Sequence, residues 1–338
     1  MSTSPDTRVY ATVLITDHSL QIYLTVGANI LATPLNFLSF YLILTKSKRE
    51  RSSFKICLFL AQLSYYVAQF HLGVLTGPAP LLPFPGVYST GILKRYVSSF
   101  TLCFIWSILF CCYAYFTLLL LVIRLRIVAR PGKFFDCSNF TYNFCYILLA
   151  IYVFLPVPGI TALSYRDQVE QEMFVSKNFP NNMMVFNHPG VYIFTFYENS
   201  RLISAVLVFV IISALMFIIF MYIAITKEIE LGIVSKSSRN AKESRKTLSN
   251  LVLQSTSYAV FLSITICLVL KSFYNDPSTD PRVSNTIAFT SLCAASIPCQ
   301  IMMIARNTAY RAFVCRKTKV PSILPVQSIH ITSTFVKV

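Results

Sequence analysis

Hydrophobic positions along this chain are gathered into seven stretches of about twenty residues or more that contain no Asp, Glu, Lys or Arg. At about 1.5 Å rise per residue, a helix of that length crosses a hydrocarbon layer about 30 Å thick. Because backbone inside lipid must satisfy its own hydrogen bonds, the pattern predicts an all-α membrane protein with a seven-transmembrane helix bundle. The predicted spans are 20–45, 56–76, 97–123, 142–164, 202–226, 248–270 and 283–305.

Basic residues in the connecting segments predict the orientation of the bundle. With the N-terminus outside, the inner segments hold 21 of the 29 Lys and Arg residues and the outer segments hold 8. Short cytoplasmic loops retain positive charge during insertion, so this bias favours an extracellular N-terminus and a cytoplasmic C-terminus. The outer segments also hold 8 of the 13 acidic residues, so the net charge of +16 lies on the inner face. We expect that face to meet anionic membrane lipid and a cytoplasmic protein.

Composition favours a membrane protein over a soluble one. Hydrophobic residues make up 55% of the chain and charged residues 12%, whereas a soluble domain carries about 25% charged residues. Mean hydropathy is +0.62 and the pI is near 9.5, a basic value that is also typical of nucleic-acid-binding proteins. We expect no nucleic-acid partner, because the positive charge is divided among short loops that the spans separate.

Outside the spans, the chain offers short segments and no second domain. The longest loop, 165–201, lacks periodicity and is too short for a separate enzyme domain. The end of the chain has two prolines among Ser, Thr and Lys, which predicts disorder. The predicted division is an extracellular N-terminus (1–19), a seven-transmembrane domain (20–305), an amphipathic juxtamembrane helix on the inner leaflet (306–317) and a disordered cytoplasmic tail (318–338).

Patterns typical of catalysis and metal binding are missing from the sequence. There is no G-x-x-x-x-G-K, no H-E-x-x-H, and the four histidines lack ligand spacing. No carboxylate lies within a span, which argues against an intramembrane protease and against the proton relay of a pump. We therefore expect no enzyme activity, no catalytic residue, no metal and no cofactor. The ten cysteines fall in spans or on the cytoplasmic side, so we expect no disulfide on the outer face.

A candidate ligand site lies in the outer halves of the spans. His71, beside Gln69, is the only histidine within a predicted span. An ionisable group in the membrane is a candidate functional site, although the position also suits a neutral histidine that bonds to a neighbouring helix. Aromatic and polar residues at the same level on other spans predict a pocket for a small, largely uncharged ligand. The candidate ligand-binding residues are Gln69, His71, Thr101, Phe104, Trp106, Tyr258, Thr265, Asn285 and Phe289.

Basic residues at the inner ends of the third, sixth and seventh spans form a surface that suits a heterotrimeric G protein. Such residues also serve as plain determinants of topology, so both interpretations remain open. The candidate G-protein-coupling residues are Arg124, Arg126, Arg130, Arg245, Lys246 and Arg311.

The common motifs of rhodopsin-like receptors are absent, and other motifs stand in the chain. Ile123-Arg124-Leu125 follows the third span in place of Asp-Arg-Tyr, and Ser296-Ile297-Pro298-Cys299 stands in place of Asn-Pro-x-x-Tyr. Distinctive features are Pro34, Gln69-Phe70-His71, the proline-rich loop 78–91, Ser244-Arg245-Lys246-Thr247-Leu248 leading to Gln254, and Ala309-Tyr310-Arg311. On these residues the sequence resembles the nematode serpentine chemoreceptors of classes H and I.

The resemblance implies a G-protein-coupled chemosensory receptor with a small-molecule ligand, a heterotrimeric G protein and membrane lipid as partners. It also implies a receptor oligomer and a multi-pass location in the plasma membrane, in the cilium of a sensory neuron. The alternatives are a membrane transporter or a ligand-gated channel subunit, and a channel of the insect odorant-receptor kind would place the N-terminus inside. The sequon Asn139-Phe140-Thr141 distinguishes these topologies, because the predicted orientation keeps it cytoplasmic and unglycosylated.

Overall fold

Long helices make up most of the computed structural model, which describes residues 18–47, 51–81, 86–178, 180–187, 190–194, 200–232, 238–274 and 282–318. We number the spans in chain order. The first to third spans are Ser19–Lys46, Ser52–Phe70 with its π-helical continuation His71–Thr76, and Ser99–Val128. The fourth to seventh are Asn139–Phe154 with Pro156–Leu163, Ser200–Gly232, Ser238–Tyr274, and Arg282–Ala294 with Ser296–Arg306. Shorter helices are Ile92–Arg95, Gln168–Asn178, Pro180–Asn187 and Thr308–Thr318.

Length and apolarity identify the membrane-crossing segments among the described residues. Six helices qualify: Ser19–Lys46, Ser52–Thr76, Ser99–Val128, Asn139–Leu163, Val208–Gly232 and Val283–Arg306. The remaining predicted stretch, 248–270, lies inside the sixth span, whose first turns carry charged residues. Large apolar side chains such as Ile30, Ile147 and Phe209 are exposed on the first, fourth and fifth spans, as a lipid-facing surface requires. The prediction of an all-α membrane protein is confirmed. The predicted tail beyond Thr318 and residues 1–17 lie outside the described residues.

Local sequence explains where several spans begin and end. The Ser98 hydroxyl accepts a hydrogen bond from the backbone N–H of Thr101, 3.2 Å away, and satisfies a donor that the first turn of the third span leaves unpaired. The second span ends at Gly77, whose φ of +52° favours glycine. The Gly77 N–H donates to the Leu72 carbonyl at 2.9 Å, which closes the last turn.

Prolines divide two of the spans. Pro298 has no N–H to donate to the carbonyl four residues earlier, and the seventh span breaks at Ala295, one turn before it. Pro156 lacks an N–H in the same way, and the fourth span is interrupted at Leu155. Both breaks lie inside predicted spans, and at the break in the seventh span the Leu292 carbonyl is within reach of the Tyr65 hydroxyl on the second span.

The largest buried apolar cluster fills the half of the bundle that the predicted orientation places toward the cytoplasm, and the words inner and outer refer to that predicted orientation. It joins Phe54 of the second span, Leu121 of the third, Ile225 of the fifth and Leu248 of the sixth, each of which is buried. Burying side chains of this size stabilises a fold by about 1.5–3 kcal/mol each. The inner ends of these four spans are therefore held together by packing.

The two outer loops fold together into a small unit, the outer cap, which our sequence analysis did not predict. Its three strands, Pro78–Pro80 (β1), Gly86–Ser89 (β2) and Val191–Ile193 (β3), form an antiparallel sheet in the order β1-β2-β3. Register pairs Ala79 with Tyr88 and Val87 with Tyr192. Gln168–Asn178 and Pro180–Asn187 pack on the sheet around their own buried core of Leu81, Val175, Val185 and Ile193. The loop 165–201 is thus more regular than expected.

Candidate functional site

Three tyrosines from three spans meet near the middle of the bundle. The ring of Tyr65, on the second span, lies with its centroid 4.9 Å from that of Tyr113 on the third and 4.2 Å from that of Tyr258 on the sixth. The Tyr113 and Tyr258 centroids are 5.1 Å apart. The Tyr65 hydroxyl donates to the Leu292 carbonyl of the seventh span at 3.0 Å. We call these three residues the tyrosine floor, because their contacts close the interior below the outer halves of the spans.

A second apolar cluster lies on the outer side of the tyrosine floor. Buried Leu72 and Leu292 contact partly buried Trp106 and Phe289, so the second, third and seventh spans all contribute. The Trp106 ring stacks on Phe110 with centroids 5.7 Å apart. Two predicted ligand-binding residues, Trp106 and Phe289, therefore share one aromatic cluster.

Gln69 carries the most unusual side chain of this region. Its residue is only 4% exposed, yet neither the amide nitrogen nor the amide oxygen has a hydrogen-bond partner among the described residues. Helical spacing places Gln69 on the same face as Tyr65 and Leu72, between the tyrosine floor and the outer apolar cluster. A buried amide without partners costs about 1–3 kcal/mol per unpaired group. A group that forms hydrogen bonds with the Gln69 amide would remove this cost.

His71 lies one position into the π-helical turn that ends the second span. Its Nδ1 is 3.1 Å from the Thr76 hydroxyl, and its Nε2 has no partner in the described part of the chain. Turns of this kind are frequent at functional sites. Gly73 lets the first span come close, since a Cβ there would lie 2.1 Å from the Asn29 amide nitrogen. The Asn29 oxygen is likewise buried without a described partner.

Two predicted residues of the third span lie apart from this region. Thr101 is exposed, and its hydroxyl contacts Ser98 at 2.8 Å in the helix cap. Phe104 is partly buried and stacks on Phe100 with centroids 6.3 Å apart. The structure therefore gives both residues local roles near the outer end of the span.

The remaining predicted residues lie between the sixth and seventh spans. Thr265 donates to the Ala288 carbonyl at 3.0 Å and so fastens these two spans together. Asn285 is buried, and in the described part of the chain the Tyr258 hydroxyl contacts the Cys299 thiol, a weak partner, and forms no other hydrogen bond. Of the nine predicted residues, those grouped around the outer side of the tyrosine floor are Gln69, Trp106, Tyr258 and Phe289.

A buried amide network lies on the inner side of the tyrosine floor. The Gln300 side chain of the seventh span donates to the Asn36 oxygen of the first at 3.0 Å and to the Gln62 oxygen of the second at 2.6 Å. All three residues are buried. This network was not predicted from the sequence, although a signal was present: Asn29 and Asn36, like Gln62 and Gln69, are seven residues apart, so each pair lies on one helix face.

The arrangement suits binding of a neutral molecule and offers little for catalysis. The predicted spans contain no Asp, Glu, Lys or Arg, and His71 is their only histidine. Within the described residues, no group of three or more His, Cys, Asp or Glu side chains could hold a metal ion. The region presents aromatic rings, aliphatic side chains and a few amide groups, the usual lining of a ligand pocket.

Three of the predicted coupling arginines, at the inner end of the third span, are engaged within the protein. Arg124 is buried, with its guanidinium 5.6 Å from the Phe54 ring centroid. Arg126 contacts Asn139 and lies over the Tyr142 ring. Arg130 forms an ion pair with Glu228 of the fifth span, 3.0 Å between Nε and Oε2. These contacts tie the third span to its neighbours.

The other coupling candidates are more exposed. Arg245 pairs with Glu230 across the fifth and sixth spans at 3.1 Å, with both side chains about half exposed. Arg311 is exposed on the helix Thr308–Thr318, whereas the Lys246 side chain lies outside the described part of the structure. Phe134, which was not among the predicted residues, is 87% exposed in the loop between the third and fourth spans. Its exposure on the same face as the basic residues leaves it accessible to another protein.

The outer cap is fastened to several spans by hydrogen bonds. The Gln21 amide of the first span donates to the Pro78 carbonyl at 2.8 Å. The Ser99 hydroxyl of the third span donates to the Ser89 hydroxyl at 2.8 Å. These contacts hold the sheet over the outer ends of the helices.

Tyr192 fastens the cap to the fourth span. Its hydroxyl donates to the Ser164 carbonyl at 3.1 Å and accepts from the Arg166 N–H at 2.7 Å. Burial raises the pKa of the Tyr192 phenol. The hydroxyl therefore stays protonated at physiological pH and can maintain both bonds.

Comparisons with known proteins agree with this architecture. The family model described as serpentine type 7TM GPCR chemoreceptor Sri matches residues 15–314. A search of curated proteins found no match. Among solved structures, the crystal structure of squid rhodopsin aligns over 94% of this chain and 82% of that chain, with 11% sequence identity and a TM-score of 0.48. That likeness is too distant to assign a role to any residue. The family match confirms the predicted seven-transmembrane class and the resemblance to nematode serpentine chemoreceptors.

Proposed function

The chain belongs to the Sri family of serpentine type 7TM GPCR chemoreceptors, and from this premise we propose that it is a chemosensory receptor of the plasma membrane. It binds a small neutral molecule from outside the cell in the outer half of the bundle, above the tyrosine floor. The bound molecule favours one of two helix arrangements, and the inner face then binds a heterotrimeric G protein. A sensory cilium is the location that we expect for such a receptor.

The observation that carries the ligand site is the unpaired amide of Gln69. A buried amide that bonds to nothing lowers the stability of the receptor, and a ligand that supplies both a donor and an acceptor removes this cost. Trp106 and Phe289 add apolar surface nearby, which favours a ligand that has an apolar part.

The charge distribution supports a neutral ligand. A charged ligand buried in the membrane interior needs a counter-charge, because an isolated ion is strongly destabilised there. The predicted spans contain no Asp, Glu, Lys or Arg to supply one, and their only histidine is His71. Alcohols, ketones, esters and amides therefore fit the site better than amines or carboxylates.

The inner face supports coupling to a G protein. With the N-terminus outside, this face holds 21 of the 29 Lys and Arg residues, and Phe134 and Arg311 are exposed on it. Arg126, Arg130 and Arg245 are already engaged with Asn139, Glu228 and Glu230. We infer that Phe134 and Arg311 make the first contacts, and that Arg130 contributes only if its pair with Glu228 opens.

The test is substitution of Gln69 by Leu, read out in two ways. Without ligand, Gln69→Leu raises the melting temperature of the purified receptor, because an apolar side chain of similar size replaces unpaired polar atoms. With ligand, the substitution raises the half-maximal concentration about tenfold or more, the effect of losing a buried hydrogen bond. The measurement is calcium imaging of expressing cells against a panel of volatile and water-soluble odorants.

Val67→Leu is the matched control, since Val67 is exposed on the same helix. It leaves melting temperature and responses unchanged. If Gln69→Leu lowers the melting temperature and spares the responses, the amide is structural and this ligand site is wrong. Flux of solutes or ions through vesicles that contain the receptor would instead support a transporter or channel.

A further inference from the structure

A small cavity lies below the tyrosine floor, where the second, third and sixth spans face each other. Its volume is about 10 Å³, near the lower limit for one enclosed water molecule. Its lining residues are Leu58, Ala61, Gln62, Tyr113, Thr117, Leu120, Leu251, Gln254, Ser255 and Tyr258. Six of these ten residues carry polar side-chain groups, which distinguishes the cavity from an apolar packing defect.

Two polar groups of the sixth span line the cavity and lack a good partner. The Gln254 amide nitrogen is buried and makes no hydrogen bond to a described atom. The Tyr258 hydroxyl, one helical turn away, is buried and has no hydrogen-bond partner among the described residues beyond a contact with the Cys299 thiol. Residues four apart on a helix lie on the same face, so both groups reach one space.

The opposite wall supplies further hydrogen-bonding groups. Gln62 of the second span lines it, and its oxygen already accepts from Gln300 at 2.6 Å. Thr117 of the third span contributes a hydroxyl. None of these side chains is charged, and Gln254 presents an N–H donor, so a cation is disfavoured.

We propose that this cavity is a binding site for one water molecule that links the sixth span to the second and third. The water accepts a hydrogen bond from the Gln254 amide and shares another with the Tyr258 hydroxyl, and Gln62 and Thr117 complete its partners. A buried water with two to four polar partners is an integral part of a fold. This site is separate from the ligand site, and the two meet at Tyr258, whose ring belongs to the tyrosine floor.

The test is the direction in which one substitution shifts the melting temperature of the full-length receptor in lipid nanodiscs. If the water is bound, Gln254→Met removes its partner and lowers the melting temperature by about 2–4 °C, roughly the effect of one hydrogen bond in a large domain. If the cavity is dry, the same substitution removes an unpaired donor and the melting temperature stays the same or rises, which overturns the proposal. Thr256→Val is the matched control, because Thr256 is exposed on the same helix and lines no cavity.

A second measurement applies if the variant does not fold. An experimental structure of the wild-type receptor, at a resolution that shows ordered water, places density within about 3 Å of the Gln254 amide nitrogen. A cavity without density at that resolution contradicts the proposal. Neither result depends on a ligand, so failure here leaves the proposed receptor function untouched.

Discussion

Two buried glutamines of this chain differ in their hydrogen bonding. Gln300 donates two hydrogen bonds, to Asn36 and Gln62, and joins three spans. Gln69 is equally buried and donates none to the described residues. In a protein interior the first arrangement stabilises the fold, whereas the second costs free energy unless a bound molecule supplies the missing partners.

Substitution of Gln300 by Met should therefore have the opposite effect to substitution of Gln69. Gln300→Met leaves the Asn36 and Gln62 oxygens buried without their donor, at a cost of about 1–3 kcal/mol per group. We expect the melting temperature to fall, as measured by thermal unfolding of the purified receptor. Gln69→Met serves as the matched control with the same chemical change, and it should raise the melting temperature. Equal shifts for the two variants would show that hydrogen bonding does not separate them.

Some of these residues could be predicted from the sequence, and others could not. Gln69 and Trp106 could be predicted because a polar or large aromatic residue in an apolar span can be recognised from its own position, without knowledge of its neighbours. Tyr65, Tyr113 and Gln300 were missed, because their importance arises from partners on other spans. The rotation of each helix about its axis decides those partners, and hydropathy alone does not determine it.

At the scale of elements, the spans follow from composition, but the outer cap does not. A charge-free stretch of twenty residues has few alternatives in a membrane, so the helices were predictable. The strands β1 and β3 are each three residues long, too short for an alternating pattern to appear. They become visible only when two loops that are about 100 residues apart are brought together.

Tyr192 fastens one side of the outer cap to the fourth span. Loss of the Tyr192 hydroxyl should therefore have a local effect on the cap. Tyr192→Phe removes the bonds to the Ser164 carbonyl and the Arg166 N–H while keeping the ring. We expect faster amide hydrogen exchange in β3 and in Gln168–Asn178, with exchange in the third span unchanged. Tyr165→Phe is a suitable control, because Tyr165 is exposed in the same loop. Unchanged exchange in the cap would mean that its apolar core suffices.

At the scale of the whole molecule, charge and polarity divide the protein into two ends with different partners. The outer half offers neutral hydrogen-bonding groups beneath a folded cap. The inner half is packed around Phe54, Leu121 and Ile225 and ends in a basic surface. Between them lie the tyrosine floor and the amide network, which connect the first, second, third, sixth and seventh spans. A change at one end can therefore reach the other through packed side chains.

The central claim is that ligand binding at the outer half and G-protein binding at the inner face are coupled. Thermodynamic reciprocity requires that each partner change the affinity for the other by the same factor, typically about 5–150-fold. The direct measurement is the affinity of the purified receptor in nanodiscs for an odorant that activates it in cells, with and without a heterotrimeric G protein. We predict tighter odorant binding when the G protein is present, and weaker binding of both partners in Gln69→Leu. An odorant affinity that is the same with and without G protein would contradict the account.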